Sequence, residues 1–271
     1  MKRTVLITGS SSGFGKETAK LFQKNGWNVI ATMRSPENEQ ELNTLENVLV
    51  TKLDVQHIDS IQKAINAGIH AFGRIDVLVN NAGYGVIGIF ESSTEEQVRK
   101  QFEINVFGLM DVTREVLPHF RAKGKGVIIN VSSYGGRVAL PTGSLYNASK
   151  FAVEGFSESL SHELAGLHIS VKLIEPGGVA TNFRNSLDLI NNEIADYEAL
   201  TSSFWQLHAK LTEQLKKASA EDVAMSIYEA ATDGKQKLWY VVGEDAQYFI
   251  DRKFNTPEEV YIKQMKDYFV N

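Results

Sequence analysis

The sequence predicts an α/β fold in which helices cover both faces of a mainly parallel β-sheet. Short apolar runs alternate with longer amphipathic runs along nearly the whole chain, which is the pattern of βαβ units. Most of the short runs are continuous and rich in β-branched residues, as expected for parallel strands that are buried on both faces. The first of them leads directly into a glycine-rich turn, which is typical of the first unit of a doubly wound sheet.

Seven of the short runs are predicted as strands, at Thr4–Thr8, Trp27–Met33, Val48–Leu53, Val77–Asn80, Gly126–Val131, His168–Ile174 and Leu238–Val242. The amphipathic segments between them are predicted as helices, at Gly15–Asn25, Ile58–Phe72, Thr94–Arg121, Leu145–Gly166 and Ala220–Thr232. No repeat, low-complexity tract or linker rich in proline and glycine divides the chain, so residues 1–271 are interpreted as a single domain.

Two segments depart from this alternation. Phe183–Lys217 is a long polar and aromatic helical insertion before the last βα unit, and Glu244–Asn271 extends past the final strand. An insertion beside the carboxyl ends of the strands is where a lid over a ligand would lie. The alternative is an extra surface helix that plays no part in binding.

The composition excludes several classes of protein. A net charge of −5 gives no basic surface for nucleic acid, and no stretch approaches the ~20 apolar residues of a membrane span. Because the chain has no cysteine and its six histidines show no ligand spacing, disulfides and metal sites are not expected. The apolar run after Met1 is too short for a signal peptide, so a soluble cytoplasmic protein is predicted.

The glycine-rich turn spans Thr8–Gly15, with glycines at positions 9, 13 and 15. This spacing differs from G-x-G-x-x-G, but it serves the same purpose, a sharp turn of bare backbone before a helix. The N-terminus of such a helix can bind the pyrophosphate of a dinucleotide, whereas the alternative is an ordinary strand–helix turn. The predicted cofactor-binding residues here are Gly9, Ser11, Ser12, Gly13, Phe14 and Gly15.

The end of the second strand indicates which dinucleotide is bound. An NAD-type site has an acidic residue there for the ribose 2′-hydroxyl, but this chain has Met33 followed by Arg34. A guanidinium pairs with the 2′-phosphate of NADP(H), which a carboxylate would repel. We therefore expect NADP(H), with Ser12 as a second donor. The alternative is NAD(H), with Arg34 as a solvated surface charge.

Other strand ends add candidate contacts to the adenosine. Asp54 can accept from the adenine amino group while Val55 offers its backbone, although an aspartate here suits the cap of the next turn equally well. Asn80, the last residue of the fourth strand, would tie neighbouring strands together. The small residues that follow it and would let the ribose approach are Asn81, Ala82 and Gly83.

Tyr146 and Lys150 are four residues apart in a predicted helix and therefore share one face of it. A tyrosine with its ordinary pKa near ~10 is a poor base at neutral pH, but a neighbouring ammonium favours the phenolate. Ser133 ends a strand and can hydrogen-bond a carbonyl oxygen on which negative charge develops. Acid/base chemistry beside a dinucleotide indicates hydride transfer. Taken singly, Tyr146 suits a core position and Ser133 a strand end equally well.

These motifs, together with Asn105, Ser132-Ser133 and Pro176-Gly177, occur in the order and spacing of the classical short-chain dehydrogenases/reductases, which the chain resembles over residues 2–243. The resemblance implies a Rossmann-type sheet of seven parallel strands and a single domain that binds the dinucleotide and carries a Ser–Tyr–Lys–Asn site. The Ala-Thr-Met-Arg and Val-Gly-Glu-Asp-Ala stretches are similar to the branch that contains 17β-hydroxysteroid and retinol dehydrogenases.

By this resemblance, Tyr146 is the acid in reduction and the base in oxidation, and Lys150 lowers its pKa and binds the nicotinamide ribose. Ser133 would bind the substrate oxygen, and Asn105 would hold a water that passes protons to Lys150. The resemblance also implies cofactor contacts after the sixth strand, at Pro176, Gly177, Val179 and Thr181.

A small-molecule substrate is expected to contact Ser133, Tyr134, Leu140 and Tyr146, with a wider lining at Tyr84–Ile87, Leu145, Phe183, Phe204 and Trp205. Such a lining suits a bulky, lipophilic alcohol or ketone, although the aromatic residues can equally pack the insertion onto the sheet. The resemblance further implies a homodimer or homotetramer that associates through the segments Gly108–Phe120 and Leu145–Gly166.

The predicted function is an NADP(H)-dependent oxidoreductase that interconverts a secondary or primary alcohol and its ketone or aldehyde. One alternative is a catalytically silent NADP(H)-binding or sensing protein, which would have no need of all four site residues. Another is a nucleotide-sugar epimerase or dehydratase, which uses a Tyr–Lys pair but has a different glycine spacing and a longer C-terminal region.

Overall fold

A seven-stranded parallel sheet forms the centre of the structure, a computed structural model that describes residues 2–179 and 187–269. In chain order, the described strands are β1 Thr4–Ile7, β2 Asn28–Met33, β3 Val48–Lys52, β4 Val77–Asn80, β5 Gly85–Ile87, β6 Gly126–Val131, β7 Ile169–Pro176, β8 Leu187–Leu189 and β9 Trp239–Val242. All of them except β5 and β8 belong to the main sheet. β5 and β8 pair in a separate two-stranded parallel sheet.

The strand order in the main sheet is β3-β2-β1-β4-β6-β7-β9. Val5 of β1 pairs with Val29 of β2 on one side and with Val77 of β4 on the other, so the winding direction reverses between β1 and β4. In open α/β sheets, ligands bind outside the carboxyl ends of the strands at such a reversal. All seven strands predicted from the sequence are present, and the doubly wound fold is confirmed.

Helices pack on both faces of this sheet. In chain order, the helices that the structure describes are α1 Gly13–Lys24, α2 Ile58–Phe72, α3 Glu95–Phe102, α4 Leu109–Lys123, α5 Ser144–Leu164, α6 Glu198–Thr212, α7 Ala220–Thr232, α8 Glu244–Phe254 and α9 Glu258–Phe269. Successive residues of β1 contact opposite faces: Val5 and Ile7 pack in one core cluster with Phe22 of α1, and Leu6 packs in the other with Ile61 of α2. The sheet therefore has an apolar layer on each side.

The predicted helix Thr94–Arg121 is wrong as a single α-helix. α3 begins after Thr94, whose side chain accepts from the Gln97 N–H in a capping box. A π-helical turn at Glu103–Gly108 then separates α3 from α4. The apolar spacing of a π turn is close to that of an α-helix, so the pattern does not reveal it, and such turns are frequent at functional sites.

Other departures concern strand ends and the two unusual segments. His168 has a left-handed φ of +54°, so β7 begins at Ile169 and extends to Pro176, two residues beyond the predicted end. The small β5–β8 sheet was not predicted. The insertion contains α6, and the C-terminal extension folds as α8 and α9.

None of the described helices combines the length and the apolar character that crossing a bilayer requires.

Candidate functional site

The turn between β1 and α1 places bare backbone at the carboxyl edge of the sheet. Gly9 and Gly13 have φ values of +70° and +55°, a conformation that favours glycine. A Cβ on Gly15 would lie 2.3 Å from the Gly9 carbonyl oxygen, and a Cβ on Gly9 would lie 2.9 Å from Ala82 Cα. Three glycines are therefore needed for backbone segments to approach each other here, and the resulting cradle fits a pyrophosphate.

Polar groups hold this cradle in place. The Asn81 amide donates to the carbonyls of Thr8 and Gly9 at 2.9 and 3.0 Å, and the Thr8 hydroxyl accepts from the N–H groups of Asn81 and Ala82 at 3.0 Å. Ser12 precedes α1 without a side-chain cap hydrogen bond. The first N–H groups of α1 are therefore left to bind an anion.

The end of β2 presents a cation. Arg34 is exposed, whereas Met33, at the position of the acid in an NAD-type site, is only 3% exposed and packs in the core. Glu39 in the following loop is buried, and its carboxylate accepts from Lys16 at 3.1 Å. The carboxylate of Glu39 is thus already paired, and the guanidinium of Arg34 is accessible.

Asp54 and Val55 follow β3, as predicted. The Asp54 carboxylate accepts from the Gln56 N–H at 3.1 Å, and its own N–H donates to Ser60 at 3.0 Å, so Asp54 has a local role in the turn. Val55 is buried beneath Gly108, where a Cβ would lie 2.8 Å from the valine side chain. The adenine contacts expected of both residues stay a prediction.

Tyr146 and Lys150 lie one turn apart on α5, and the Lys150 ammonium is 5.8 Å from the centroid of the Tyr146 ring. Lys150 is 6% exposed, and its Nζ donates to the Val131 carbonyl at the end of β6 at 2.9 Å. Burial lowers the pKa of Lys150 to about 8, although the charge of Glu154 acts in the opposite direction. The lysine is therefore held by backbone and enclosed, rather than solvated.

The Tyr146 phenol is hydrogen-bonded to the Ser133 hydroxyl. Burial raises the pKa of Tyr146, and the bond to Ser133 opposes that rise. The direction is opposite to the one expected from the neighbouring ammonium, because the desolvation of the buried phenol is the largest influence on its pKa. Ser133 itself is fixed at the start of the next turn, where its hydroxyl accepts from the Gly135 N–H at 3.0 Å.

Asn105 lies in the π turn and is 2% exposed. Its side-chain oxygen accepts from the Tyr84 N–H at 2.8 Å, and its amide donates to the Tyr84 carbonyl at 2.8 Å and to Ser149 at 3.1 Å. Both amide hydrogens are therefore used within the protein. These bonds make Asn105 an anchor between α5 and the loop after β4. The water expected beside Asn105 stays a prediction.

The loop after β7 continues from Pro176. The Gly177 N–H donates to the Val242 carbonyl at 2.9 Å, and the Gly178 N–H donates to Asp245 at 2.7 Å. Val179 packs against a core cluster. Thr181 and Phe183, both predicted site residues, lie outside the described residues.

The residues predicted to line the substrate site fall into different environments. Tyr134 stacks on Phe249 with ring centroids 5.6 Å apart, and Leu140 packs in the same cluster. Leu145 is buried in the main core. Phe204 is only 2% exposed, whereas its neighbour Trp205 is 52% exposed. Of these two aromatic residues of the insertion, Trp205 is the one that a ligand can reach.

A groove of about 480 Å³ lies beside Trp205. Its apolar lining comes from the β5–β8 region and includes Ile87, Leu189 and Ile190, while Thr142 contributes from the loop before α5. Tyr84 connects the segment after β4 with the insertion, because its hydroxyl donates to Asp188 of β8 at 2.5 Å. The insertion is thus fastened to the segment that follows β4.

In the described part of the chain, no three histidine, aspartate or glutamate side chains are grouped as a metal site would require. His119 is occupied structurally, since its Nε2 accepts from the Ile75 N–H at 3.0 Å. His208 stacks on Phe249 at 5.8 Å.

Comparison with known proteins identifies the family. A family model described as short chain dehydrogenase matches residues 3–191. The chain belongs to the short-chain dehydrogenase/reductase family. An oxidoreductase of Schizosaccharomyces pombe is 45% identical over 213 residues, which cover 78% of this chain and 89% of the relative.

Two further relatives of this short-chain dehydrogenase have more specific names. The 3-ketodihydrosphingosine reductase of Bacteroides thetaiotaomicron is 42% identical over 185 residues, which cover 68% of this chain and 67% of that protein. Human dehydrogenase/reductase SDR family member 9 is 33% identical over 261 residues, which cover 90% of this chain and 81% of the relative. The match to the human protein is consistent with the retinol dehydrogenase-like branch.

Solved structures agree on fold and cofactor class. A short-chain dehydrogenase from Streptomyces avermitilis has a TM-score of 0.84 and 31% identity, covering 98% of this chain and 97% of that one. ElxO with NADP bound has a TM-score of 0.76 and 30% identity, covering 92% and 99%. A Burkholderia phymatum member in complex with NAD has a TM-score of 0.75 and 26% identity, covering 89% and 88%. This short-chain dehydrogenase is therefore an oxidoreductase with a nicotinamide dinucleotide site.

Sequence reasoning missed a pair of carboxylates behind Lys150, of which Glu175 is buried and Glu154 is half-buried. Glu154, one turn after Lys150 on α5, accepts from the Trp239 indole N–H at 3.1 Å. Glu175 of β7 is fully buried, and Arg137 lies 3.5 Å from its carboxylate. Burial and the charge of Glu154 raise the pKa of Glu175 to about 7, although Arg137 opposes the rise. The four-residue spacing from Lys150 to Glu154 was a usable signal, whereas nothing local marks Glu175.

Proposed function

We propose that the protein is an NADP(H)-dependent oxidoreductase that interconverts an alcohol and its ketone or aldehyde, with Tyr146 as the acid and base. One observation carries this proposal: the hydrogen-bonded Tyr146 and Ser133 lie beside the buried ammonium of Lys150, at the same edge of the sheet as the glycine turn. The glycine turn at Thr8–Gly15 would hold a dinucleotide, which would supply or accept the hydride.

The roles of the side chains follow from their contacts. In reduction, Tyr146 donates its proton to the carbonyl oxygen of the substrate while Ser133 donates a hydrogen bond to the same oxygen, where negative charge develops. In oxidation, the phenolate of Tyr146 takes the proton of the alcohol. Lys150, fixed by the Val131 carbonyl, keeps a positive charge beside the phenolate and donates to the hydroxyls of the cofactor's ribose. Asn105 holds the π turn against α5.

The preference for NADP(H) rests on the exposed Arg34 and on Met33 at the position where an NAD-type site needs an acid. We expect Arg34→Ala to weaken NADPH binding by roughly 10- to 100-fold, the loss of one charge-assisted contact, and to leave NADH binding unchanged. Dissociation constants of both cofactors, measured by fluorescence titration, check this. Lys63→Ala, which removes an exposed lysine on α2, is the control. Equal weakening for both cofactors would place the phosphate contact elsewhere.

A lipophilic substrate is proposed from the apolar groove beside the insertion, in which Leu189 is 69% and Trp205 is 52% exposed. The relative named 3-ketodihydrosphingosine reductase points in the same direction, because the substrate in its name carries a long hydrocarbon chain and a ketone. We propose that the insertion at residues 183–217 acts as a lid over this groove.

The lid proposal predicts that Trp205→Ala raises KM for a bulky carbonyl several-fold, the effect of losing part of an apolar contact, without a change in NADPH affinity. Steady-state kinetics together with NADPH titration separate the two effects. Phe204→Ala is a poor substitute, since Phe204 is buried and its truncation would leave a cavity. If Trp205→Ala leaves KM unchanged for every carbonyl that the enzyme reduces, the lid proposal is wrong and the insertion is a surface helix without a part in binding.

Self-association is part of the proposal as well. Phe107 and Phe151, which lie on or next to the helical segments expected to form an interface, are 51% and 40% exposed. Apolar rings exposed on neighbouring helices favour a homodimer or homotetramer, because association would remove them from water.

The experiment that tests the function is oxidation of NADPH and NADH, followed by the absorbance of the reduced nicotinamide, against a panel of carbonyls. The panel contains steroids, retinal, aliphatic aldehydes, quinones and a long-chain ketone. Turnover with NADPH on a lipophilic carbonyl supports the proposal in full. Tight NADPH binding with no turnover of any carbonyl would instead favour a silent binding protein.

A further inference from the structure

Asp245 is a buried carboxylate in the first turn of α8, in the C-terminal extension for which the sequence indicated no function. It is 3% exposed. The residues matched by the family model end at 191, so α8 lies beyond the region that this model matches. A carboxylate taken out of water is costly unless its oxygens find donors, which makes its contacts informative.

Those contacts are directed at the loop after β7. One oxygen of Asp245 accepts from the Gly178 N–H at 2.7 Å. The other oxygen is buried, has no hydrogen-bond partner among the residues that the structure describes, and lies against backbone: a Cβ on Gly177 would be 2.1 Å from it, and a Cβ on Gly243 would be 2.6 Å from it. Only glycine at both positions allows the carboxylate to sit between the two backbone segments.

The loop is therefore held from two sides. Pro176, the last residue of β7, pairs with Val242 of β9, and the Gly177 N–H donates to the Val242 carbonyl at 2.9 Å. Asp245 fixes the next peptide. The loop leaves the carboxyl edge of the sheet, where Tyr146 and Ser133 also lie, and leads into the insertion. A shift of this loop would change the part of the site next to β7. The glycine turn follows β1, which is separated from β7 by β4 and β6 in the sheet, so it would keep its position.

We propose that Asp245 is a positioning residue for the nicotinamide half of the cofactor, because its hydrogen bond to the Gly178 N–H fixes the loop at Pro176–Val179 against which that half would rest. This inference rests on the proposed function only in taking NADP(H) as the ligand. It assigns to α8 the task of holding a part of the site that residues 3–191 do not stabilise alone.

The test compares two ligands on one set of variants by isothermal titration calorimetry. NADPH contains both halves of the cofactor, whereas adenosine 2′,5′-bisphosphate contains the adenine half and the 2′-phosphate but no nicotinamide. We expect Asp245→Ala to weaken NADPH binding about 10-fold or more, the loss of one hydrogen bond to a charged acceptor, and to leave bisphosphate binding within two-fold (roughly the scatter of such additive effects). Arg34→Ala should weaken both ligands.

Two further variants make the comparison specific. Asp245→Asn keeps an acceptor for the Gly178 N–H and should retain most of the NADPH affinity. Asp251→Asn changes an exposed carboxylate of the same helix, whose partner is Gln247, and should change nothing. If Asp245→Ala does not fold, Asp245→Ser replaces it, because a hydroxyl suits a helix start but is too short to reach Gly178.

The outcomes separate this inference from the proposed function. Equal weakening of NADPH and bisphosphate by Asp245→Ala or Asp245→Ser would mean general destabilisation and would overturn the positioning role, as would unchanged NADPH affinity. A wild-type protein that binds NADPH but reduces no carbonyl would contradict the proposed function, whereas the two-ligand comparison would still decide the role of Asp245.

Discussion

Replacement of Tyr146 by phenylalanine is expected to lower kcat by about 100- to 10,000-fold, the usual contribution of a general acid or base, while NADPH still binds. The substitution removes only the hydroxyl that Ser133 contacts and keeps the ring beside Lys150. Because burial raises the pKa of Tyr146, the phenol of the cofactor-free protein is protonated at neutral pH. It is therefore ready to act as the acid in reduction, and oxidation should become faster as pH rises.

The measurement is single-turnover oxidation of NADPH with the best carbonyl of the panel, alongside an NADPH titration. Tyr228→Phe is the matched control, because Tyr228 packs its ring against Phe22 on the opposite side of the sheet from α5. Loss of turnover in Tyr146→Phe alone supports the acid/base role. A loss of less than about ten-fold would be far smaller than the contribution of a general acid. Such a result would assign proton transfer to another group.

The central sheet was predictable because burial on both faces leaves a local trace. Each residue of β1 and β2 is buried, and a strand with no solvent face is mainly apolar, so runs such as Val5–Ile7 are visible in the sequence. The glycine turn was predictable for a related reason: close backbone approach at Gly9 and Gly15 excludes every side chain. Asn80 was also predicted correctly as a tie, since its amide donates to Asn130 of β6 at 2.9 Å.

Features that depend on distant partners were not predictable. β5 and β8 are each three residues long and pair across a separation of about a hundred positions, and a strand that short carries no periodicity of its own. The π turn around Asn105 is stabilised by Tyr84 and Ser149 from other segments. Nothing in Glu103–Gly108 itself distinguishes it from an α-helical turn.

The electrostatics of the site were the least visible part. Glu154, Glu175 and Asp245 are far apart in the sequence. Since acidic side chains are usually exposed, the sequence predicts each of them on the surface. The fold buries Glu175 and Asp245 and half-buries Glu154, each beside Lys150 or the loop after β7. Desolvation then sets the direction of the Tyr146 pKa, and desolvation depends on packing that the spacing of Tyr146 and Lys150 does not describe.

Replacement of Lys150 by methionine is expected to lower turnover by at least about 100-fold and at the same time to stabilise the cofactor-free fold. Burial lowers the pKa of Lys150 to about 8 from its ordinary 10.5. That difference corresponds to about 3 kcal/mol against the charged form in the folded state. Methionine fills a similar volume without a charge, so the melting temperature should rise by several degrees at neutral pH.

The stability gain has a defined pH dependence. Below about pH 8 the lysine is protonated in both states and the folded state bears the full cost. Between about 8 and 10.5 the unfolded chain keeps a proton that the folded chain releases, so wild-type stability rises with pH. The advantage of Lys150→Met, measured by thermal melts across this range, should therefore shrink as pH rises.

Lys172→Met provides the contrasting control for this experiment. Lys172 is also buried, at 3% exposure, but it is paired with Asp233 at 3.3 Å, and its Nζ also donates to the Tyr240 hydroxyl at 3.0 Å. Removing one member of a buried ion pair strands the other charge, so this variant should melt at a lower temperature than the wild type. If Lys150→Met also melts at a lower temperature than the wild type, the charge of Lys150 is already compensated in the folded state. The buried ammonium would then not lower the stability of the wild-type fold.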